Sequence, residues 1–373
     1  MDQIQLGRIV AENRRRLHLT QEALAKHFGV SKATVSKWET GATYPDIALL
    51  PQLAAFFNIS IDTLMGYKPQ MTMSQIRQLH RALSHAFSSE PFHEVMQRCR
   101  QLIQEYYSCL PLLFQIGSLY VNHCMLAEAP HQTETVLEEA RTLFRRIKNE
   151  SPDVELRAQA TKMEAFCALH LRHPEEVLTL LEPFDALHLP PEPLLAAAHQ
   201  MLENPQAASM ILQSGIYQSC LELIDLLTSY MRLHMQNARI FEESYHKILS
   251  VASAFQLETL QPASLLTVYI TAAQGFMQLG SVQRALACLQ SYADLALSGI
   301  YPFTLHGNSY FDLLDQWIEQ NLPLGSAPPR DEALIRRSIF EAVSTAPAFA
   351  SLQNEPLFQT ILSRLQPDKE ESL

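Results

Sequence analysis

The run SKATVSKWETG, Ser31 to Gly41, sorts its side chains by chemistry when wound into a helix. Lys32, Ala33, Ser36 and Lys37 fall on one side of it, and Val35 and Trp38 on the other. A lysine ammonium donates to the O6 and N7 acceptors of guanine, and an alanine methyl can rest on the methyl of thymine. Ser31 and Thr34 are short hydroxyl donors suited to phosphate oxygens. Thr43 and Tyr44, just beyond the glycine, place two more hydroxyls in the following loop. Together these residue types offer non-covalent recognition of a nucleic-acid duplex.

Bond-making chemistry finds no comparable set. There is no Gly-rich phosphate loop, no serine nucleophile elbow and no Cys/His signature. His170 and His173 stand three apart, but Pro174 follows and no second pair completes a metal site. The glutamate pairs Glu138–Glu139, Glu175–Glu176 and Glu242–Glu243 read as solvated helix faces. The six cysteines are scattered without a Cys-x-x-Cys pair, as in a reduced cytoplasmic protein. The expectation is a protein that is not an enzyme and has no metal and no cofactor.

The elements that must position the recognition residues are helices. Leu6, Ile9, Val10, Asn13 and Leu17 repeat at helical spacing, predicting a first helix that ends near His18. Thr20 followed by Gln21, Glu22 and Ala23 reads as a capping-box start for a second helix, QEALAKHF, closed by Gly29. Ser31 caps the third, KATVSKWE, which ends at Gly41. Two short helices about a tight glycine turn make a helix-turn-helix unit.

The run from Thr20 to Asp46 resembles the Cro/C1 (xenobiotic-response-element) family of phage repressors and bacterial regulators. The resemblance continues through Leu50, Leu53, Ala54, Phe57, Ile59, Ile61 and Leu64 and covers residues 4–66, under a fifth of the chain. It implies a five-helix DNA-binding domain over 1–66 whose third helix enters the major groove. It further implies that Gln21 anchors a phosphate at the start of the second helix, and that Arg14 and Glu39 form an internal ion pair. With Ser31, Lys32, Ala33, Thr34, Ser36, Lys37 and Thr43, Gln21 completes the expected DNA-binding set. Such a domain reads only a few base pairs, so a homodimer on a two-half-site operator is expected.

Charge is distributed accordingly. The chain carries −11 overall, yet residues 1–68 hold eight Lys/Arg against six Asp/Glu, leaving the acidity to the other 305. A mildly basic head on an acidic body suits a protein of which one part meets phosphate. At 373 residues, 47% of them hydrophobic, the chain has the material for two or three domains. No apolar run reaches the roughly 18–20 residues of a membrane span, and the arginine-containing N-terminus does not read as a signal peptide.

Residues 67–73, YKPQMTM, read as a linker, and 74–373 as a helical regulatory and dimerisation domain. Segments such as 93–124, TVLEEARTLFRRIKN and SVQRALACLQSYADLAL have apolar residues at i, i+3, i+4 and i+7, with prolines between segments and no alternating strand pattern. Leu265–Leu297 resembles one tetratricopeptide repeat, with Ala273, Phe276, Gly280, Ala285, Leu289 and Tyr292 in its packing positions. Met163–Phe184 is a weaker copy, Leu212–Tyr230 a candidate third, and 348–365 resembles a terminal repeat. The predicted fold is all-α throughout: a Cro/C1-type head followed by a TPR-like α-solenoid. That architecture resembles the peptide-pheromone-sensing regulators of Gram-positive bacteria, which implies a peptide ligand and dimerisation through the solenoid. The alternative is a solenoid that serves as a protein–protein scaffold and senses no small ligand. Asn122, Tyr230, Asn237, Tyr269 and Gln274 are polar or aromatic candidates for a groove, with no helix face assigned.

Overall fold

The structure is a computed structural model that describes residues 6–66, 70–182 and 190–367. Among the described residues every regular element is a helix. The head comprises α1 (Leu6–Arg16), α2 (Gln21–His27), α3 (Lys32–Glu39), α4 (Leu50–Phe57) and α5 (Ile61–Met65). Its core is small and complete: Leu6, Val10, Leu24, Val35, Trp38, Leu53, Phe57 and Leu64 are all buried. Local signals set the helix ends. Ser31 and Ser60 each accept the backbone N–H three residues on, at the starts of α3 and α5. α1 stops at Arg16, earlier than expected, so Leu17 lies beyond the helix and is exposed. Ile61 is likewise exposed at the first turn of α5.

The rest of the chain forms a helical array: α6 (Met73–Ser89), α7 (Phe92–Glu105), α8 (Leu110–His123), α9 (Pro130–Glu150), α10 (Val154–His170), α11 (Pro174–Leu181), α12 (Glu192–Met201), α13 (Pro205–Leu233), α14 (Ala238–Ala254), α15 (Leu257–Leu260), α16 (Pro262–Gln278), α17 (Val282–Ala296), α18 (Leu314–Asn321), α19 (Glu332–Ser344) and α20 (Pro356–Leu365). Pro130, Pro174, Pro205, Pro262 and Pro356 each open a helix, where the missing N–H costs nothing. Neighbours in sequence pack side by side, most extensively α8 with α9, α9 with α10, α12 with α13, α13 with α14 and α16 with α17.

Of the expected linker, residues 67–69 lie outside the described residues and the remainder belongs to the array. Gln70 donates to the Ser108 carbonyl at 3.0 Å, and Thr72 and Gln75 form a reciprocal capping box that starts α6 at Met73. The α16–α17 hairpin buries Ala273, Phe276, Ala285, Leu289 and Tyr292 around a turn at Gly280, whose φ is +72°. In the α10–α11 hairpin Ala165 and Ala168 are buried and no residue of α11 is; Phe184, the end of that expected copy, lies outside the described residues. The candidate third copy is corrected. Leu212–Tyr230 falls inside the single 29-residue helix α13 and holds no hairpin, because nothing between Pro205 and Leu233 breaks helical hydrogen bonding.

Two cores divide the array, one running from Ile76 to Cys167 and the other from Tyr217 to Leu365. Its first helix is clasped by a late segment. Arg77 on α6 donates to the carbonyls of Glu319, Leu322 and Pro323 at 2.9, 2.6 and 2.7 Å. Farther along α6, Ser84 donates to the Pro329 carbonyl and His85 meets Asp331 at 3.0 Å.

The glutamate pairs do more than meet solvent. Glu139 pairs with Arg100, Glu138 and Glu176 with Arg141, and Glu242 with Arg284. All but the Glu138 pair join different helices, which a reading of single helix faces does not anticipate.

Candidate nucleic-acid interface

α3 is amphipathic in a specific way. Val35 and Trp38 are buried against Leu24, with half-buried Phe28 alongside, while Lys32, Ala33 and Lys37 are exposed and Ser36 is half-buried. The helix starts with its own cap: Ser31 Oγ accepts from the Thr34 backbone N–H at 3.1 Å, and the two hydroxyls lie 2.8 Å apart. At the other end, Thr40 Oγ1 donates to the Ser36 carbonyl, and the backbone amides of Ala42 and Thr43 both reach the Lys37 carbonyl. That folds the following loop against the end of α3 and leaves Thr43 and Tyr44 exposed beside it.

Helix α2 is held at a fixed angle to α3 by a charged network. Arg14 Nε and Nη2 donate to the two carboxylate oxygens of Glu39 at 2.6 and 3.1 Å, and Arg14 Nη1 caps the Leu19 carbonyl at 2.6 Å. Gln21 Nε2 donates to Glu39 Oε2 at 2.8 Å. One carboxylate thus joins the end of α1, the start of α2 and the end of α3. Burial pushes the Glu39 carboxyl up, but hydrogen bonds from Arg14 and Gln21 outweigh it and leave the group below the usual carboxylate range. The hydrogen bond to Glu39 raises the Arg14 guanidinium in turn. Gln21, expected to face a phosphate, spends one amide hydrogen on this network.

The capping-box expectation for α2 is half met. Thr20 Oγ1 accepts from Ala23 N at 3.1 Å, but an alanine at the third helical position has no side chain to return the bond.

Two contacts in the head were not anticipated from the sequence, where Arg16 reads as solvating the first helix. A Cβ on Gly7 would stand 2.3 Å from the Trp38 carbonyl oxygen, so α1 and α3 can approach this closely only with glycine there. Arg16 Nη2 donates to the Phe57 carbonyl at 2.7 Å, placing a cation at the C-terminus of α4. Gly7 sits between Leu6 and Ile9 on the apolar stripe, which is the one signal that marked it.

The groove candidates of the array are not brought together. Asn122 lines one cavity and Tyr269 another, Asn237 caps α14, and Tyr230 is exposed on α13. Burial pushes the thiols of Cys99 and Cys167 up to about 12, which makes them poor nucleophiles. Among the described residues no group of three His, Cys, Asp or Glu side chains is placed to hold a metal, and no helix is long and apolar enough to cross a membrane.

This arrangement, two short helices about a glycine turn with the second presented outward, defines the N-terminal unit as a helix-turn-helix domain. Residues 10–64 match the helix-turn-helix family model. Over 58 residues the chain is 38% identical to the HTH-type transcriptional activator BcrR of Enterococcus faecalis, covering 16% of this chain and 28% of that protein. The chain therefore spans under a third of that relative's length. Among solved structures, the crystal structure of Bacillus thuringiensis PlcR in complex with the peptide PapR7 and DNA aligns over 98% of this chain and 100% of that one. The identity is 15% and the TM-score 0.19, too loose to carry an argument.

Proposed function

We propose that the chain is a sequence-specific DNA-binding transcription regulator of the cytoplasm, acting as a homodimer, with no catalytic role. The observation that carries this reading is the split of α3: Val35 and Trp38 anchor it in the core while Lys32, Ala33, Ser36 and Lys37 stand outward. In the reading, these four meet base edges in the major groove. Ser31, Thr34, Thr43 and the remaining amide hydrogen of Gln21 meet phosphates. Arg14 and Glu39 fix the angle between helices and touch no DNA.

The helical array, read as degenerate TPR-like repeats, takes a ligand that adjusts the spacing of the two heads. Support comes from a cavity of about 360 Å³ near the clasp, lined by Asn122, Leu266, Ile270, Tyr292, Phe303 and Arg330. Arg330 is half-buried, and burial pulls its guanidinium below the usual range. A cation in an otherwise mostly apolar cavity favours a ligand with an anionic group and an apolar body, such as a short peptide. A ligand moves the heads only by binding one arrangement more tightly than the other.

The test is binding of the purified protein to the DNA upstream of its own gene at two salt concentrations, beside a Lys32→Ala/Lys37→Ala variant. The expected result is a salt-sensitive complex whose preference over unrelated DNA falls at least tenfold in the variant. Weak binding, indifferent to sequence and equal in both proteins, would overturn the reading.

A further inference from the structure

Helix α13 carries two apolar seams, of which the core among the described residues uses one. Tyr217, Cys220, Ile224 and Met231 face the core. A second row, Leu212, Ile216, Leu223, Leu226, Tyr230 and Leu233, continues through Ser219 at alternating steps of four and three residues. That alternation keeps side chains on the line of contact between two paired helices. All seven positions are exposed. The row spans 22 residues, about 32 Å of helix.

The exposed row differs between its halves. Leu212, Ile216, Ser219 and Leu223 form, with Val251 and Phe255 at the end of α14 and with Glu192 and Pro193 of α12, a recessed, mostly apolar groove of about 390 Å³. Leu226, Tyr230 and Leu233 project from the other half, at 62%, 48% and 77% exposure. A recess and a projection of matching chemistry on one helix are what a two-fold interface requires, since each copy must supply both.

We infer that this seam pairs with the same seam of a second copy of the chain, the two α13 helices running antiparallel about an axis near the middle of the row. Leu226, Tyr230 and Leu233 of each copy then fill the recess at Leu212 and Ile216 of the other. Ser219, the one small position, leaves room for the incoming Leu226 or Tyr230. The exposed apolar side chains of the row offer on the order of 600 Å² per copy, at the lower edge of the range for stable, specific interfaces. The choice of a second copy over a foreign helix rests in part on the reading of the head, because a half-site reader needs two copies.

Sedimentation of the full chain across a range of concentrations, beside a Leu226→Glu/Leu233→Glu variant, tests the pairing. Both positions are exposed, so the variant is expected to keep the wild-type circular dichroism and melting temperature while its self-association weakens at least tenfold. Tyr310→Glu, exposed outside the row, serves as a control that remains dimeric. A wild-type monomer at tens of micromolar, or a variant that still dimerises, overturns the pairing. So does a wild-type protein that stays monomeric until a foreign amphipathic helix binds the row. Anisotropy with a duplex carrying one half-site separates this proposal from that for the head. Dimeric protein without half-site binding sinks the DNA reading and leaves the seam standing; monomeric protein with half-site binding does the reverse.

Discussion

Glu39 connects three helices through one carboxylate, and its side chain is only 7% exposed. Replacing it with alanine strands the Arg14 guanidinium and frees Gln21, at a cost of roughly 3 kcal/mol to the head. Chemical denaturation followed at Trp38, within the head core, reads that loss. The pH dependence follows from the depressed carboxyl. Its stabilisation is complete above the ordinary glutamate range and is lost as pH falls through the lower folded-state value. Glu39→Gln should therefore flatten the acid limb of the head's stability curve; an unchanged limb would count against the network. The buried and exposed faces of α3 were legible from the period of Val35 and Trp38 alone. The second partner of Glu39 was not, because Gln21 lies 18 residues away and meets it only once α2 has docked on α3.

Among elements, the head shows how far local signals reach. The glycine turns and the serine and threonine caps located α2 and α3 from sequence, because a cap and its partner lie within three residues of each other. The closeness of α1 and α3 depends on the empty side of Gly7, and nothing in helix propensity announces it. Gly7→Ala should force the Trp38 carbonyl away and destabilise the head by about 1–3 kcal/mol. Equal unfolding midpoints for the head in both proteins would show that α1 yields without strain. Among the array helices, hydrophobic period was a good guide to helicity and a poor guide to length. It supplied the α16–α17 hairpin but hid the unbroken run of α13, since a helix with two apolar rows scores like two helices packed together. Similarly, residues 93–124 read as one apolar segment and form two helices that part at Tyr106–Cys109.

At the scale of the whole molecule, the array is joined where α6 meets the segment from Glu319 to Asp331. Two buried histidines stand at this junction. His80 on α6 lies near the Pro329 carbonyl, and His123 on α8 stacks on Phe87 with ring centroids 4.5 Å apart. Burial holds each imidazole down at about 4. A histidine lowered in the folded state stabilises fully above its unfolded value of about 6.5, and that contribution drains away as pH falls toward 4. The pair is worth a few kcal/mol over that window, so the melting temperature of the array should fall steadily from pH 7 to 4.5. His80→Phe should reduce the slope, and a flat profile would mean that these rings are hydrated. None of this was readable in the sequence, where His80 and Pro329 stand 249 residues apart.

The clasp at Arg77 changes how such an array comes apart. A stack of hairpins that touch only their neighbours frays from its ends, and each terminal unit opens at little cost to the rest. Here α6 is tied across more than 240 residues of chain to the carbonyls of Glu319, Leu322 and Pro323. Opening either partner then releases the other, and the amides of α6 should exchange with solvent as slowly as those of α16. Arg77→Ala should restore fraying: fast exchange confined to α6, and a melting curve that splits into two steps.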